Sequence, residues 1–166
     1  MNLIGGFNGC EAGMGIVYLG SLAILSLLEK NFISILPLVA IFSLLSFLRF
    51  NWYKAKILPG DSLTYLLGAI LANTAIVGNL EKAASILLFP FVVEFFLKMR
   101  SEFKASCLGK LRKDGTLEAP YDKIYSLTHV VMKAGGFREK EVTLTLISFE
   151  LLIAALSFLL VFSGVV

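Results

Sequence analysis

Long apolar stretches dominate this sequence and limit what it can fold into more than any other feature. A helix needs about 20 mainly apolar residues to cross a bilayer. Stretches near this length occupy residues 12–28, 32–47, 62–77, 83–97 and 142–162. Hydrophobic residues make up 57% of the 166 residues and charged residues 16%, whereas a soluble domain carries about 25% charged residues. The sequence therefore predicts an all-α, polytopic membrane bundle of about five transmembrane helices, and it excludes a disordered chain, a disulfide-rich secreted domain and a typical cytosolic enzyme.

The distribution of basic residues predicts how the bundle is oriented. Five spans place the N-terminus, the 49–61 loop and the 98–141 segment on one face, together with thirteen of the fifteen lysines and arginines. The other face holds only Lys30 and Lys82. Because cytoplasmic loops carry an excess of basic residues, we expect the basic face to be cytoplasmic and the C-terminus to lie outside.

The 98–141 segment is the sizeable part of the chain outside the predicted spans. Asp114 and Gly115 predict a turn. After Pro120, apolar residues recur at helical spacing, namely Ile124, Leu127, Val130 and Val131. This pattern predicts a helix along the membrane interface. The single histidine, His129, lies in this stretch, and we interpret it as an interfacial residue.

Two acidic residues fall inside predicted spans, where an unpaired charge is costly. Glu94 lies one turn before Lys98, and pairing between positions i and i+4 of a helix is the favoured interpretation. Glu150 lies near the middle of the last span. A hydrogen bond to a neighbouring helix is favoured there over a functional role.

The first polar run is residues 2–13, NLIGGFNGCEAG, where the first span begins. Its glycines allow the backbone to bend and approach a ligand, and its asparagines and glutamate supply oxygen acceptors. The alternative is helix packing, because Gly9 and Gly13 form the small-residue pattern of membrane helix interfaces.

The second polar run is residues 50–62, FNWYKAKILPGDS. An aromatic belt with an aspartate at the start of the next helix is the structural interpretation. The functional interpretation is a metal-binding carboxylate with lysines that attract phosphate. Both runs lie on the basic face and can converge there. Carboxylate and amide oxygens suit Mg²⁺, which binds one or two carboxylates together with substrate phosphates, so the combination favours chemistry on a phosphorylated lipid.

The first run resembles the signature of the UDP-GlcNAc:dolichyl-phosphate GlcNAc-1-phosphotransferase family, within the polyprenyl-phosphate sugar-1-phosphate transferase superfamily. Three later stretches resemble further motifs of this family in the same order, namely residues 51–61, 114–118 and 138–143. The pair Gly5 and Gly6 is similar to the archaeal and eukaryotic branch.

This resemblance implies transfer of GlcNAc-1-phosphate, or a related HexNAc-1-phosphate, from a UDP-sugar to a polyprenyl or dolichyl phosphate, with release of UMP. It implies that Asn2 and Asp61 are catalytic residues that hold Mg²⁺, with Mn²⁺ as the alternative ion. The predicted substrate-binding residues are Gly6, Asn8, Glu11, Lys56 and Arg138.

Members of the family carry further spans ahead of these five, so we expect residues 1–166 to be the C-terminal half of a multispan transferase domain. The expected partners are the lipid bilayer, the two substrates, an N-terminal half in cis or in trans and a second copy in a homodimer, with no nucleic acid. The expected location is an archaeal plasma membrane with cytoplasmic active-site loops. The alternative is a non-catalytic membrane half that binds a nucleotide sugar or a partner chain.

Leu58 and residues 104–107 depart from the family pattern, in which an aromatic residue and a basic sugar-side cluster are expected. The identity of the sugar therefore stays open.

Overall fold

The computed structural model describes the backbone of residues 2–164 and the side chains of residues 3–164. The chain begins with a short 3-10 turn, Asn2–Ile4. The α-helices that follow are α1 Cys10–Leu28, α2 Ile35–Asn51, α3 Gly60–Val77, α4 Glu81–Leu87, α5 Phe89–Met99, α6 Leu127–Ala134 and α7 Glu139–Phe162. Two short strands, β1 Lys110–Leu111 and β2 Leu117–Glu118, pair antiparallel between α5 and α6.

Four helical segments of the described chain are long and apolar enough to cross a membrane. They are Cys10–Leu28, Phe32–Asn51, Gly60–Val77 and Glu139–Phe162. These match four of the five predicted spans and confirm a polytopic helical membrane protein. The second segment joins a 3-10 turn, Phe32–Ser34, to α2. Pro37 lies in the first turn of α2, where the N–H that proline lacks has no partner within the helix.

The stretch predicted as a continuous span at 83–97 is divided into α4 and α5. Leu88 lies between the two helices, and Pro90 is in the first turn of α5. Proline has no N–H to donate to the carbonyl four residues earlier, so the helical ladder loses a bond at this point. Leu88 and Val92 still donate to the carbonyls of Ala84 and Leu88, and the chain path stays nearly helical.

Helix α1 forms the centre of the bundle and contacts α2, α3, α4 and α7. Its apolar window is 67% buried, against 17% for the Phe32–Asn51 segment and 28% for both α3 and α7. Glycines allow this close packing. A Cβ on Gly13 would lie 2.4 Å from Cδ1 of Ile147 on α7, and one on Gly15 would lie 3.0 Å from Cδ1 of Leu67 on α3. The helix-packing interpretation therefore holds for Gly13.

Both predictions about the intramembrane acids are wrong. Glu94 is fully buried, but its Oε2 accepts a hydrogen bond of 2.7 Å from the backbone N–H of Leu127. Lys98 instead donates to the carbonyl of Ala105 at 3.0 Å. Neither carboxyl oxygen of Glu150 has a hydrogen-bond partner among the described residues, although the side chain is buried.

The predicted turn in the 98–141 segment is present between the two strands. The N–H and hydroxyl of Thr116 donate to Oδ1 of Asp114, and Gly115 has a φ of 83°.

The helix predicted after Pro120 is present as α6, Leu127–Ala134, and its position at the membrane interface stays a prediction. This helix packs on α5, α7 and β2, and it buries Thr128, His129, Val131 and Met132. Because its apolar face meets protein, His129 is a fully buried residue and not an interfacial one.

Candidate active site

The two polar runs meet at one cleft of about 350 Å³. Residues 5–7 and Glu11 form one wall, and residues 58–61 form the other. Of the predicted site residues, the cleft therefore brings together Gly6, Glu11 and Asp61. Leu58, at the position where the family resemblance leads us to expect an aromatic residue, also lines it.

The 98–141 segment supports the glycine side of this cleft. The Cys107 thiol donates a hydrogen bond of 2.7 Å to the carbonyl of Gly5. A Cβ on Gly6, where φ is 109°, would lie 3.0 Å from Cδ2 of Leu108. The family resemblance placed residues 104–107 on the sugar side, but sequence reasoning predicted neither the contact of Cys107 with Gly5 nor that of Leu108 with Gly6. Contacts between residues about a hundred positions apart leave no trace in the spacing of one sequence.

Buried hydrogen bonds hold the loop that carries Cys107. The Thr128 hydroxyl donates to the Cys107 carbonyl at 2.7 Å. The Tyr125 N–H donates to Nδ1 of His129 at 3.3 Å, so the proton is on Nε2, which lies 3.0 Å from the Ser106 carbonyl. Burial raises the pKa of the Cys107 thiol. This keeps the sulfur protonated and able to donate to Gly5.

Glu11 and Asp61 are the acidic residues that line the cleft. Oε1 of Glu11 accepts a hydrogen bond of 2.9 Å from the Gly6 N–H, while its buried Oε2 has no hydrogen-bond partner among the described residues. Asp61 is exposed in the first turn of α3, where the helix dipole favours an acidic side chain.

A hard divalent cation fits this donor set. Mg²⁺ binds carboxylate oxygens and normally completes its shell with water and phosphate oxygens. The described residues contain no cluster of three or more acidic, histidine or cysteine side chains that could hold a metal. Two carboxylates on one cleft still suit an ion that is shared with a phosphorylated substrate. The side chain of Asn2, the other predicted ligand, lies outside the described part of the chain.

Asn8 is anchored to the start of α7, away from the cleft lining. Its N–H donates to Oε1 of Glu139 at 3.0 Å, and its carbonyl accepts a hydrogen bond of 3.3 Å from the Thr143 hydroxyl. Arg138 precedes Glu139 and is exposed, with its N–H donating to Oε2 of Glu141 at 2.7 Å. The fourth motif thus packs against the first.

Lys56 lies in the loop between α2 and α3, with an exposed side chain. Its N–H donates to the Phe50 carbonyl at 2.8 Å, and the buried Asn51 side chain donates to the Ile57 carbonyl at 2.8 Å. These bonds fix the loop before it reaches Asp61. Neither Lys56 nor Arg138 lines the cleft.

The sequence is similar to a group of known membrane transferases. Residues 1–79 match the family model described as glycosyl transferase family 4. A protein of Saccharolobus solfataricus, provisionally named UDP-N-acetylglucosamine–dolichyl-phosphate N-acetylglucosaminephosphotransferase, is 41% identical over 96% of this chain and 50% of its own length. A Sulfolobus acidocaldarius protein with the same provisional name is 35% identical over 94% of this chain and 48% of its own.

The similarity extends to a eukaryote. A UDP-N-acetylglucosamine–dolichyl-phosphate N-acetylglucosaminephosphotransferase of Dictyostelium discoideum is 22% identical over 95% of this chain and 46% of its own length. The chain spans about half the length of these curated relatives. Together with the family model and the ordered motifs, these matches show that the chain belongs to glycosyl transferase family 4.

Proposed function

We propose that this chain carries the candidate active site of an enzyme that transfers GlcNAc-1-phosphate, or a related HexNAc-1-phosphate, from a UDP-sugar to a polyprenyl or dolichyl phosphate. An oxygen of the lipid phosphate attacks the sugar-bearing phosphorus. The new P–O bond forms as the bond to the UMP phosphate oxygen breaks, and UMP leaves. The observation that carries this proposal is the cleft in which the Gly5–Gly6 turn, Glu11 and Asp61 meet.

The chain's own residues bind and orient the substrates. Gly6 lines the cleft. Glu11 accepts a hydrogen bond from the Gly6 N–H through Oε1, while its Oε2 is buried without a hydrogen-bond partner among the described residues. Asp61, with Asn2 as the second predicted ligand, would hold Mg²⁺ or Mn²⁺. The bound ion would supply positive charge to the pyrophosphate. Catalysis of phosphoryl transfer is mainly positioning and charge stabilisation.

The charge pattern and the relatives support the proposed location and partners. The basic face is cytoplasmic in this proposal, and the host membrane is an archaeal plasma membrane. Because the chain spans about half the length of its relatives, we expect transfer to need the remaining part of that length, on the same chain or on a partner chain. Assembly as a homodimer stays a prediction.

The test is Mg²⁺-dependent conversion of UDP-GlcNAc and a polyprenyl phosphate to UMP and glycolipid in reconstituted membranes. The chain is combined with the part of the Saccharolobus solfataricus relative that it does not cover. Asp61→Asn is expected to lower the rate about 100-fold or more, as loss of a transition-state charge contact does. Asp122→Asn is the matched control, because Asp122 is exposed and does not line the cleft.

The outcomes separate the two functions. Loss of UMP release in Asp61→Asn with an unchanged Asp122→Asn supports the transferase. Binding of UDP-GlcNAc without UMP release, in wild type and variants alike, would support the non-catalytic alternative. Undiminished transfer by Asp61→Asn would contradict the role of Asp61.

A further inference from the structure

A shallow apolar groove with one cation lies on α2, at the end that leads into the 49–61 loop. It encloses about 390 Å³ and is lined by Leu45, Leu48, Arg49 and Trp52. These positions form one stripe along the helix, since residues three and four apart share a face. Leu45 is 48% exposed, so the groove faces the surroundings of the bundle.

The charge in this groove is uncompensated within the described chain. The ion pairs among residues 3–164 join Lys104 to Glu102 and Arg112 to Glu118, and Arg49 takes part in neither. Lys54 follows on the same loop and is also exposed. An exposed guanidinium at the end of a membrane-spanning helix meets the headgroup layer, where anionic lipids attract basic residues.

Aromatic residues mark the same level of the bilayer. Phe50 is 51% exposed and Tyr53 is 47% exposed, and they follow Arg49 and Trp52 directly in the sequence. Aromatic side chains collect where the acyl region meets the headgroups. We therefore expect the leucines to lie at acyl-chain depth and Arg49 to lie at phosphate depth.

Trp52 gives the groove a fixed wall. A Cβ added to Gly9 would lie 2.6 Å from Cε3 of Trp52 and 3.4 Å from Cδ1 of Leu48. The indole ring is therefore backed by the backbone that precedes α1, and the glycine is needed for this close approach. Trp52 is also the single tryptophan of the sequence.

We propose that this groove binds an anionic phospholipid of the bilayer, with an acyl chain along Leu45 and Leu48 and the phosphate on Arg49. A bilayer lipid fits this groove because its anionic phosphate complements Arg49 and its acyl chain matches the apolar leucines. The site is separate from the cleft at Asp61 and does not rest on the proposed function.

Fluorescence of Trp52 tests the proposal directly. The chain is placed in phosphatidylcholine nanodiscs that contain an equal mole fraction of either brominated phosphatidylglycerol or brominated phosphatidylcholine. Bromine quenches tryptophan on contact, so a phosphatidylglycerol held in the groove quenches Trp52 more than phosphatidylcholine does. We expect Arg49→Gln to weaken the apparent phosphatidylglycerol affinity about five-fold, the equivalent of the ~1 kcal/mol that one basic residue contributes near an anionic surface.

Lys82→Gln is the matched control, since Lys82 lies on α4, outside the groove. In this variant, brominated phosphatidylglycerol should quench Trp52 as strongly as in wild type. Unchanged quenching by brominated phosphatidylcholine in Arg49→Gln shows that Trp52 keeps its place in the membrane. Equal quenching of the wild type by the two brominated lipids would overturn the proposal, as would full phosphatidylglycerol preference in Arg49→Gln. Relief of the quenching by a prenyl phosphate, but not by unbrominated phosphatidylglycerol, would assign the groove to that lipid and overturn it too.

Discussion

The backbone N–H of Asn8 donates a hydrogen bond of 3.0 Å to Oε1 of Glu139, although 131 positions separate the two residues. This bond ties the glycine-rich run to the first turn of α7. Thr143 adds a second link one turn further along the helix, to the Asn8 carbonyl. The first and last motifs of the sequence therefore form one structural unit.

Replacing Glu139 by alanine is expected to loosen the glycine-rich run. A hydrogen bond to a charged group contributes about 1.5–3 kcal/mol when buried, and this half-buried one should contribute less. We expect UDP-GlcNAc to bind several-fold more weakly, with little change in helix content, as measured by calorimetric titration and circular dichroism. Glu139→Gln keeps an acceptor and should restore most of the affinity. Equal loss in both variants would contradict a hydrogen-bonding role.

Replacing Gly6 by alanine is expected to distort the cleft. The φ of 109° is one that side-chain-bearing residues rarely adopt, and the new Cβ would lie 3.0 Å from Leu108. We expect a strong loss of nucleotide-sugar binding in the same titration. Gly20→Ala is the control, because nothing lies within 4 Å of a Cβ there, and alanine favours a helix by about 1 kcal/mol over glycine.

The double variant Gly6→Ala with Leu108→Ala separates the two causes. If the contact with Leu108 is responsible, the second change restores binding. Continued loss would assign the effect to backbone conformation.

Replacing Glu94 by alanine is expected to detach α6 from α5. The Leu127 N–H would lose its partner in a partly buried position, and an unsatisfied buried donor costs about 1–3 kcal/mol. Limited proteolysis should then cut the 98–141 segment faster than in wild type. Glu81→Ala, at an exposed site on α4, should leave the rate unchanged. An equal cutting rate in Glu94→Ala and wild type would show that this bond does not hold the segment.

Acidic pH is expected to open the 98–141 segment, because protonation of His129 favours the open form. Burial lowers the pKa of this imidazole, and the ammonium groups of Lys98 and Lys133 lower it further. When the segment opens, the imidazole of His129 has its ordinary pKa of about 6.5. Below that pH, His129 is protonated in the open form and stays neutral in the folded form. The stability contributed by neutral His129 is present above about pH 6.5 and is lost as the pH falls towards the lower, folded value.

Hydrogen exchange of the Tyr125 and Thr128 amides measures this effect. Their protection should fall between about pH 7.5 and about pH 5.5 after correction for the intrinsic rate. A His129→Asn variant, which cannot titrate there, should lack the change. A variant with the same pH dependence as wild type would assign it to another group.

The long helices and the meeting of the two polar runs could be predicted from sequence, because both depend on patterns that a single chain displays. Apolar length predicts α1, α2, α3 and α7, and the two crossings made by α1 and α2 place residues 2–13 and 50–62 on the same face. Prediction from residue spacing failed where a residue distant in the sequence supplies the hydrogen-bond partner. Glu94 and Lys98 are neighbours on one helix, yet each binds backbone from the 98–141 segment, because that segment covers the end of α5. His129 was misread for the same reason.

Burial of α1 makes the cleft sensitive to the thickness of the bilayer. Glu11 is on α1, whose apolar window is 67% buried, whereas Asp61 begins α3, whose apolar window is only 28% buried. A helix tilts when its apolar length and the hydrocarbon thickness differ, and packing against neighbouring helices limits the tilt. Hydrophobic mismatch should therefore move Asp61 more than Glu11. The acyl-chain length of the lipids would then change the distance between the Glu11 and Asp61 carboxylates.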